Sequence, residues 1–456
     1  MAEVAFLGIE SSLLSQHWFG PDPQVIRAAE ALAQATGVPT PISRILAQRG
    51  VDAGEIEAHL APSLRDLLPD PRGLRDMETA AGRLCQAVER GERIAIFADY
   101  DVDGGASAAL LTSWLRDLGQ PAPTLYVPDR IDEGYGPNAP AMSDLAARHD
   151  LILCVDCGTL SHDALAAASG ADVLVLDHHL GGETLPPALA VVNPNRQDES
   201  GDLGHLCAAA VVFLCLVEAS RQRREAGLSG PNLMDLLDLV ALATVADVAP
   251  LTGVNRALVR QGLKVLGRRG RVGLAALADV AKMNTAPAAY HLGYLLGPRI
   301  NAGGRIGQAD LGARLLSTCD PSEAAALAER LDALNRERRD IEACVTEEAL
   351  AQIEARACDG PLAWACSEGW HPGVVGIVAS RLKEALGRPA VVIGLENGIG
   401  KGSGRSIQGI DLGHAVQRLA QEGTLLKGGG HRMAAGLTVE EARVEEAMAG
   451  LSDLLA

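Results

Sequence analysis

Residues 93–111, with the sequence RIAIFADYDVDGGASAALL, decide the fold that this chain is predicted to adopt. The run 93–98 is short and apolar, which predicts a buried strand, and Asp99, Asp101 and Asp103 follow it at once. Two glycines then lead into residues 106–118, which have the spacing of a helix. Strand, loop and helix in this order form the repeating unit of an α/β protein.

The same unit recurs along the chain, so we predict a parallel sheet covered by helices on both faces. A second α/β pattern begins after residue 360 and is glycine-rich from 394 to 436. The residues between the two patterns, 321–357, are rich in Ala, Glu, Arg and Leu and predict one long connecting helix. The further predicted strands are 125–127, 151–155, 173–176, 190–192, 362–366 and 390–393, and the further helices are 205–219, 233–248, 255–266 and 374–384.

Four segments follow from this pattern. They are a helical N-terminal segment (1–80), a catalytic domain (81–318), the connecting helix (319–358) and a smaller α/β domain (359–456). The first segment predicts short helices at 22–35, 39–50 and 55–68 and carries no set of reactive side chains, which indicates a packing or docking role.

Composition excludes several classes of protein. With 40 basic and 58 acidic residues, the 456-residue chain has a net charge of −18, so any nucleic-acid contact must be a local basic groove. Aromatic residues are 3% of the chain, which leaves few rings for base stacking. No signal peptide is evident, the longest apolar run (206–217) is too short to span a bilayer, and the nine cysteines show no regular pairing. We therefore expect a cytoplasmic protein with reduced thiols.

Acidic residues follow several predicted strands. Asp156 follows 151–155, Asp177 follows 173–176 together with two histidines, and Asp247 ends an apolar run. Because functional groups gather at the carboxyl ends of parallel strands, these side chains could meet in one crevice. Ionised carboxylates share a small volume only when a cation neutralises them, and oxygen ligands with imidazoles suit Mg²⁺ or Mn²⁺. This combination indicates metal-assisted phosphoester hydrolysis.

Simpler interpretations exist for each piece. The 99–104 string resembles the start of an EF-hand loop, but Leu110 occupies the position that needs Glu, and a strand precedes it. Single aspartates at loop starts are often turn formers or N-caps. We interpret Cys154 and Cys157 as packing residues rather than a zinc or redox pair. The glycine-rich run 398–404 is not a Walker A loop, because Gly402 follows Lys401.

Taken together, these motifs resemble the DHH phosphoesterase family, and within it the exonucleases specific for single-stranded DNA. The name-giving triplet is Asp177-His178-His179. The resemblance runs from about residue 30 to 440 and includes the ordered strings DYDVDGGAS (99–107), EGYG (133–136), VDCG (155–158), ATVADVAPL (243–251), GPRINAGGR (297–305), GWHPGVVG (369–376), SGRS (403–406 within GSGRS) and GGGHRMAAG (428–436).

The resemblance implies a role for each matching residue. It implies two Mn²⁺ or Mg²⁺ ions, with Asp156 as the bridge between them, and water activated by the metal as the nucleophile. His179 would face the scissile phosphate, and Asp99 would be a further ligand or a supporting acid, so that the implied catalytic residues are Asp156, His179 and Asp99. The implied metal ligands are Asp101, Asp103, Asp156, His178 and Asp247.

The C-terminal module resembles the family's DHHA1 domain, which binds substrate. Glycines at 428–430 would let backbone approach a phosphate, and arginines offer forked contacts. The resemblance places Ser403 and Arg405 in a pocket for the 5′-terminal phosphate. The implied substrate-binding residues are Arg130, Arg299, Arg305, Ser403, Arg405, Gly429, Gly430 and His431. Tyr135 and Trp370 are candidates for stacking on bases, although we predict both as core residues.

The implied activity is 5′→3′ exonuclease action on single-stranded DNA, releasing nucleoside 5′-monophosphates in recombination and repair. The implied partners are single-strand-binding protein and a RecQ-type helicase, with no membrane. The resemblance also implies an OB-fold, for which the 20 residues after Gly436 leave no room, so we expect a weaker grip on long strands. Two alternatives stay open: a phosphodiesterase for short oligonucleotides or cyclic dinucleotides, and a catalytically silent scaffold.

Overall fold

The computed structural model describes residues 5–13, 16–130, 133–356 and 360–456. They form two compact units, one made of residues up to 70 together with 250–261, the other of 71–249 and 262–456. The division into four predicted segments stays a prediction. No helix of the described residues combines the length and the apolar character that crossing a membrane requires.

The first unit contains the short helices that the sequence predicts. Their core includes Leu32, Leu46 and Ile56, and Asp22 caps the first helix by accepting a hydrogen bond from the Gln24 amide (2.7 Å). The predicted helix at 55–68 is two helices, because Pro62 lies between them. The helices are α1 (Pro23–Thr36), α2 (Thr40–Gln48), α3 (Ile56–Leu60) and α4 (Leu64–Leu67).

The second unit opens with an α/β domain around a parallel sheet. Its elements are α5 (Met77–Arg90), β1 (Ile94–Ala98), α6 (Val102–Asp117), β2 (Thr124–Tyr126), α7 (Ala139–Arg148), β3 (Leu151–Val155), α8 (His162–Ala166), β4 (Asp172–Leu176), β5 (Ala190–Val192), α9 (Ala208–Glu225), α10 (Leu237–Ala246), α12 (Val272–Val280), a π-helical segment (His291–Leu296), α13 (Gly297–Ile306) and α14 (Leu311–Ser317). The helix α11 (Gly253–Gly267) begins in the first unit and ends in the second.

The sheet has the strand order β2-β1-β3-β4-β5 in the described part of the chain, and all neighbours are parallel. Every residue of β1 and β3 is buried, which confirms the prediction from their unbroken apolar runs. Cys154 and Cys157 belong to the core on one face, as predicted. The strand order reverses between β1 and β3, and ligands bind at such a reversal in open α/β sheets.

The helix after β1 begins earlier than the sequence predicts. We expected it from residue 106, but α6 starts at Val102, because Asp101 caps it by accepting hydrogen bonds from the amides of Asp103 and Gly104. Asp103 therefore lies in the first helical turn, directly beside the loop. The two glycines were interpreted as part of the loop, whereas they are helical.

A long helix, α15 (Pro321–Arg356), connects this domain to the second sheet, as predicted. Its first half packs with α12 and α13, and its second half packs Val345, Ala349 and Ile353 against the second sheet. The remaining elements are β6 (Ala363–Glu368), α16 (Pro372–Leu386), β7 (Ala390–Glu396), β8 (Ile399–Arg405), α17 (Leu412–Gln421), β9 (Lys427–His431), β10 (Ala434–Glu440) and α18 (Val444–Leu455).

The second sheet has the order β6-β7-β8-β10-β9 in the described residues and mixes parallel with antiparallel pairs. One face carries α16 and the end of α15, and the other carries α17 and α18. Parts of the glycine-rich region form β8 and β9, which the sequence does not predict as strands. Glycine is needed there because of close packing: a Cβ on Gly428 would lie 2.8 Å from Val416.

Candidate active site

Three carboxylates meet at the reversal between β1 and β3. Asp99 and Asp101 follow β1, Asp156 follows β3, and one oxygen from each lies within 4.8 Å of the others. The chain can turn this tightly because residue 104 is glycine: a Cβ there would lie 2.4 Å from the Asp99 carbonyl oxygen. The loop is held from outside by Asn301, whose Oδ1 accepts a hydrogen bond from the Val102 amide (3.0 Å).

A second group lies beside the first. Asp103, His178 and Asp247 each offer a ligand atom within 4.8 Å of the others, and His178 Nε2 is 3.3 Å from Asp156 Oδ1. The two oxygens of Asp103 also accept hydrogen bonds from the Ala208 and Ala209 amides (2.7 and 2.8 Å). Asp103 is thus fixed by the first amides of α9, where the helix dipole favours a negative charge.

Asp156 joins the two groups and has the features of a metal ligand. Its backbone is left-handed (φ 59°), a conformation that non-glycine residues seldom adopt and that clusters at functional sites. Its Oδ1 is buried and has no hydrogen-bond partner among the described residues, and Asp99 Oδ1 shares this property. Buried carboxylate oxygens without partners are unstable unless a cation binds them, so the residues present fit a divalent metal pair.

The electrostatics of the group agree with this fit. Burial, and then the charge of Asp101, raise the pKa of Asp99 to about 8. The same two causes raise the pKa of Asp247 to about 6. Burial raises the pKa of Asp103 and of Asp156 well above the usual range, and neighbouring aspartates add to the effect. A cation that neutralises these carboxylates would restore their ionised forms.

Asp177, the first residue of the Asp-His-His triplet, positions His179 and is not one of the carboxylates that could hold a metal. Asp177 Oδ1 lies 2.8 Å from His179 Nδ1, and Asp177 Oδ2 accepts a hydrogen bond from Thr159 Oγ1 (2.6 Å). Burial alone would raise the pKa of Asp177, but the bonds from His179 and Thr159 hold it well below its usual range. Burial opposes the charged form of His179, yet its bond to Asp177 raises the pKa to about 9.

Tyr135 completes this corner of the site, and its prediction as a core residue is wrong. The side chain is 56% exposed, and its hydroxyl lies 3.0 Å from His179 Nε2 and 3.2 Å from the Asp156 carbonyl oxygen. Trp370, in contrast, is buried and donates to Glu348 (2.8 Å), as the core prediction expected. Tyr135 lies in a loop, where no periodicity separates buried from exposed positions.

Arginines from three elements converge next to the carboxylates. Arg130 lies over the ring of Tyr100 (5.3 Å to the centroid). Burial lowers the pKa of both Arg305 and Arg405, and the charge of Arg130 adds to the effect. Neither Arg305 nor Arg405 has a carboxylate ion-pair partner among the described residues. Arg405 donates to Ser403 Oγ (3.0 Å). Half-buried cations that lie close together without carboxylate partners are well suited to bind an anion.

The two sheets' domains touch at this cluster. Arg305, on α13, donates to the Gly373 carbonyl at the start of α16 (3.3 Å). Ser403 and Arg405 are two positions apart on β8 and therefore lie on the same face of the strand, which faces α16. The site therefore consists of a carboxylate and histidine group from the first domain and a cationic group that both domains build.

The remaining predicted binding residues are Arg299 and three residues of β9. Arg299 is held by an ion pair with Asp332 (2.9 Å) and is not among the converging arginines. Gly429, Gly430 and His431 lie on β9 at the edge of the second sheet; a Cβ on Gly429 would meet open space, and His431 is exposed. Their roles stay predictions, as do those of all the site residues.

Some residues that the geometry brings forward were not singled out by the motifs. Tyr100 separates Asp99 from Asp101 and packs its ring against Gly304, so it forms a wall between the carboxylates and the arginines. Asn193 donates to Thr159 Oγ1 and to the His179 carbonyl (both 2.8 Å) and so orients the histidine corner. The signal for Asn301 was present, since it lies in the GPRINAGGR string.

Comparison with known families agrees with this site. The profile of the "DHH family, N-terminal domain" matches residues 93–244, and that of the "DHHA1 domain" matches residues 359–456. The fold and the site thus define a two-domain DHH phosphoesterase. A "Single-stranded-DNA-specific exonuclease RecJ" from Dickeya dadantii is 42% identical over 436 residues, which is 92% of this chain and 75% of that protein. The chain therefore belongs to the RecJ family of DHH phosphoesterases.

Further relatives support this membership. The protein of the same description from Escherichia coli is 40% identical over 89% of this chain and 72% of its own length. A crystal structure of RecJ in complex with Mn²⁺ from Thermus thermophilus matches with a TM-score of 0.79 and 33% identity, over 94% of this chain and 61% of that chain. A crystal structure of exonuclease RecJ bound to manganese matches with a TM-score of 0.73 and 36% identity, over 85% of this chain and 95% of that chain.

Proposed function

We propose that this chain is a Mn²⁺- or Mg²⁺-dependent 5′→3′ exonuclease specific for single-stranded DNA that releases nucleoside 5′-monophosphates in recombination and repair. The observation that carries the proposal is the pairing of the joined carboxylate groups with the cationic cluster across Tyr100. One group suits divalent metals, and the other suits a phosphate that carries extra negative charge.

The metal pair would be held by Asp101, Asp103, Asp156, His178 and Asp247, with Asp156 shared and Asp99 supporting it. When bound, divalent ions supply an activated water and stabilise the charge that develops at phosphorus. The protein's own part is to fix these ligands, and the strained backbone of Asp156 and the α9 amides on Asp103 do so.

His179 supports the reaction from the other side. Its raised pKa keeps the imidazole protonated near neutral pH, and Asp177 and Tyr135 fix its orientation. A fixed imidazolium can donate a hydrogen bond to a nonbridging oxygen of the scissile phosphate. In the hydrolysis step, water adds to phosphorus and the bond from phosphorus to the 3′-oxygen breaks. This leaves a 5′-phosphate on the shortened strand.

The direction of cleavage follows from the cationic cluster. A terminal phosphate carries more charge than an internal diester, and Arg130, Arg305 and Arg405 with Ser403 offer it several donors. With the 5′-terminal phosphate held there, the next phosphate along the strand reaches the carboxylates. Each turnover would then release one nucleotide from the 5′ end.

Finer points of the family resemblance are proposals of the same kind. Single-strand-binding protein and a RecQ-type helicase are the proposed partners, and the cytoplasm is the proposed compartment. The match to exonucleases named for single-stranded DNA supports the substrate.

The test is digestion of a 5′-phosphorylated, 3′-labelled single strand in Mn²⁺, beside its duplex. We expect stepwise shortening from the 5′ end of the single strand and an intact duplex. Asp156→Asn keeps the shape of the side chain but loses its charge, so it should abolish cleavage, whereas Arg405→Gln should mainly remove the preference for a 5′-phosphate.

The alternatives give different results in the same assay. Cleavage of dinucleotides or cyclic dinucleotides alone would show a small-substrate phosphodiesterase. Binding of Mn²⁺ without cleavage of any substrate would show a scaffold, and either result would overturn the proposal.

A further inference from the structure

Two tyrosines are exposed on the π-helical segment and at the residue before it, ahead of α13. Among the described residues of the second unit, the exposed aromatic side chains are Tyr135, Tyr290 and Tyr294. Tyr135 contacts His179 in the proposed active site. Tyr290 (61% exposed) and Tyr294 (72% exposed) have no role in the site described above. In a chain with 3% aromatic residues, two large rings facing water require an explanation.

The two rings form one preorganised surface. They stack on each other with centroids 5.2 Å apart and planes inclined by 22°. His291 contacts Tyr290 edge-on (5.8 Å) and is itself fixed, because its Nδ1 accepts from the Ala288 amide (3.0 Å) and its Nε2 lies 3.2 Å from Thr285 Oγ1. A rigid aromatic surface loses little conformational entropy when a flat ligand stacks on it.

The helical segment that carries this surface also reaches the proposed active site. Pro298 lies one further helical turn along the stripe of Tyr290 and Tyr294, and it lines a cavity of about 150 Å³. Ala246, which precedes the candidate ligand Asp247, lines the same cavity, as does Arg305 of the cationic cluster. Gly293 and Gly297 let the segment approach this close, since a Cβ on each would lie 3.3 Å from Val245 and Ala246, respectively.

We propose that Tyr290 and Tyr294 form a stacking platform for bases of the single strand on the 3′ side of the scissile phosphate. The inference rests on the proposed function and adds a binding surface to it. In the proposed function the half-buried Arg305 and Arg405 hold the 5′ end, whereas the exposed platform suits the nucleotides that follow on the 3′ side. Stacking on aromatic rings tolerates every base, which agrees with a nuclease that acts regardless of sequence.

The test compares two double variants of the full chain. Tyr290→Leu with Tyr294→Leu keeps apolar bulk but loses the flat faces, and Tyr290→Phe with Tyr294→Phe keeps the faces as the matched control. We expect the Leu variant to raise KM for a long single strand by about 10- to 100-fold, and the Phe variant to resemble the wild type. Hydrolysis of a 5′-phosphorylated dinucleotide, which does not reach the platform, should be unchanged in both.

A second substrate tests stacking directly. A strand that is abasic beyond its first two nucleotides should bind the wild type as weakly as the Leu variant binds the normal strand. If the Leu variant cuts the long strand with an unchanged KM, the inference is wrong while the proposed function stands. Equal losses on the long strand and the dinucleotide would also overturn it, since they would show a distorted Asp247 region. If the wild type cuts no single strand, the proposed function itself fails.

Discussion

At the scale of single residues, the site is a set of carboxylates that do not tolerate each other without a cation. Asp99 and Asp156 each have a buried carboxylate oxygen that forms no hydrogen bond with the described residues, and burial raises the pKa of both side chains. The native fold of the metal-free protein therefore holds protons that the unfolded chain would release. Stability and metal binding must both depend on pH through the same groups.

Metal-free protein should lose stability as the pH rises from about 4 to 8. An unfolded aspartate loses its proton near pH 4, whereas the pKa of folded Asp99 is about 8 and that of Asp247 about 6. The folded state binds more protons across this window, so the free energy of unfolding falls with pH. Melting temperatures in a chelator at pH 5 and pH 8.5 would measure the fall.

Asp99→Asn is the control for this prediction, because Asp99 has the higher of the two raised pKa values and so contributes to the fall in stability over the wider pH range. Its melting temperature should depend less on pH, and Mn²⁺ should stabilise the wild type most at the higher pH, where the ligands are ionised. A wild-type melting temperature that does not change with pH in the chelator would contradict the prediction.

The sequence predicted the residues that lie at strand ends better than those that lie in loops. Asp99, Asp101 and Asp156 follow buried strands, so their meeting place is a consequence of the strand order. Tyr135 was predicted as core and is exposed, because a loop residue carries no periodic signal. The substrate-binding role of Arg299 stays a prediction, and its ion pair with Asp332 could not be predicted, because the two residues are 33 positions apart.

At the scale of elements, the contact between α13 and α16 fixes the position of the proposed phosphate pocket relative to the proposed metal site. The backbones meet so closely that a Cβ on Gly373 would lie 2.1 Å from the Arg305 carbonyl oxygen. Gly373 lies in the first turn of α16, and the Arg305 side chain donates to its carbonyl. No flexible side chain can move aside here, since the neighbour is backbone.

Gly373→Ala should therefore destabilise the protein by about 1–3 kcal/mol, as overpacking usually does. Separation of α16 from α13 should also weaken the preference for a 5′-phosphate. Urea unfolding measures the first effect, and the ratio of rates on phosphorylated and unphosphorylated strands measures the second. Gly270→Ala is the matched control, because a Cβ there meets nothing within 4 Å. Equal stability of the two variants would contradict the prediction.

The helices and strands themselves were largely predictable, and the exceptions have local causes. The bounds of β3, β5 and α15 agree with the apolar runs and the charged helix to within a residue. The glycine-rich β8 and β9 could not be recognised, because glycine disfavours strands in isolation. Their pairing with β10 and the packing of α16 and α17 override that preference.

At the scale of the whole molecule, a net charge of −18 opposes the binding of a polyanion, so the attraction for DNA must come from local groups such as the cationic cluster. Binding of single-stranded DNA should then release few counterions. Because Arg130, Arg305 and Arg405 all serve the terminal phosphate, the logarithm of affinity should fall with the logarithm of salt concentration with a slope shallower than about −2, the value for three neutralised phosphates at about −0.7 each.

Titrations of a labelled strand with the Asp156→Asn protein at several KCl concentrations would measure this slope without cleavage. Arg405→Gln in the same background should make the slope shallower, because the terminal phosphate is then less completely neutralised. A much steeper dependence would show that a broad basic surface binds the DNA, which the composition does not support.

Asp103 has two roles, one in metal binding and one in folding, and selection can act on them separately. Its carboxylate is placed to bind metal, and the same two oxygens hold the first amides of α9, more than a hundred positions along the chain. In a lineage that abandons hydrolysis, selection on the remaining ligands would relax, while Asp103 would still be retained for folding. A surviving aspartate at this position is thus poor evidence that a descendant is an enzyme, whereas Asp156, whose buried Oδ1 accepts no hydrogen bond from the described residues and lies 3.3 Å from the candidate ligand His178, is a sound diagnostic.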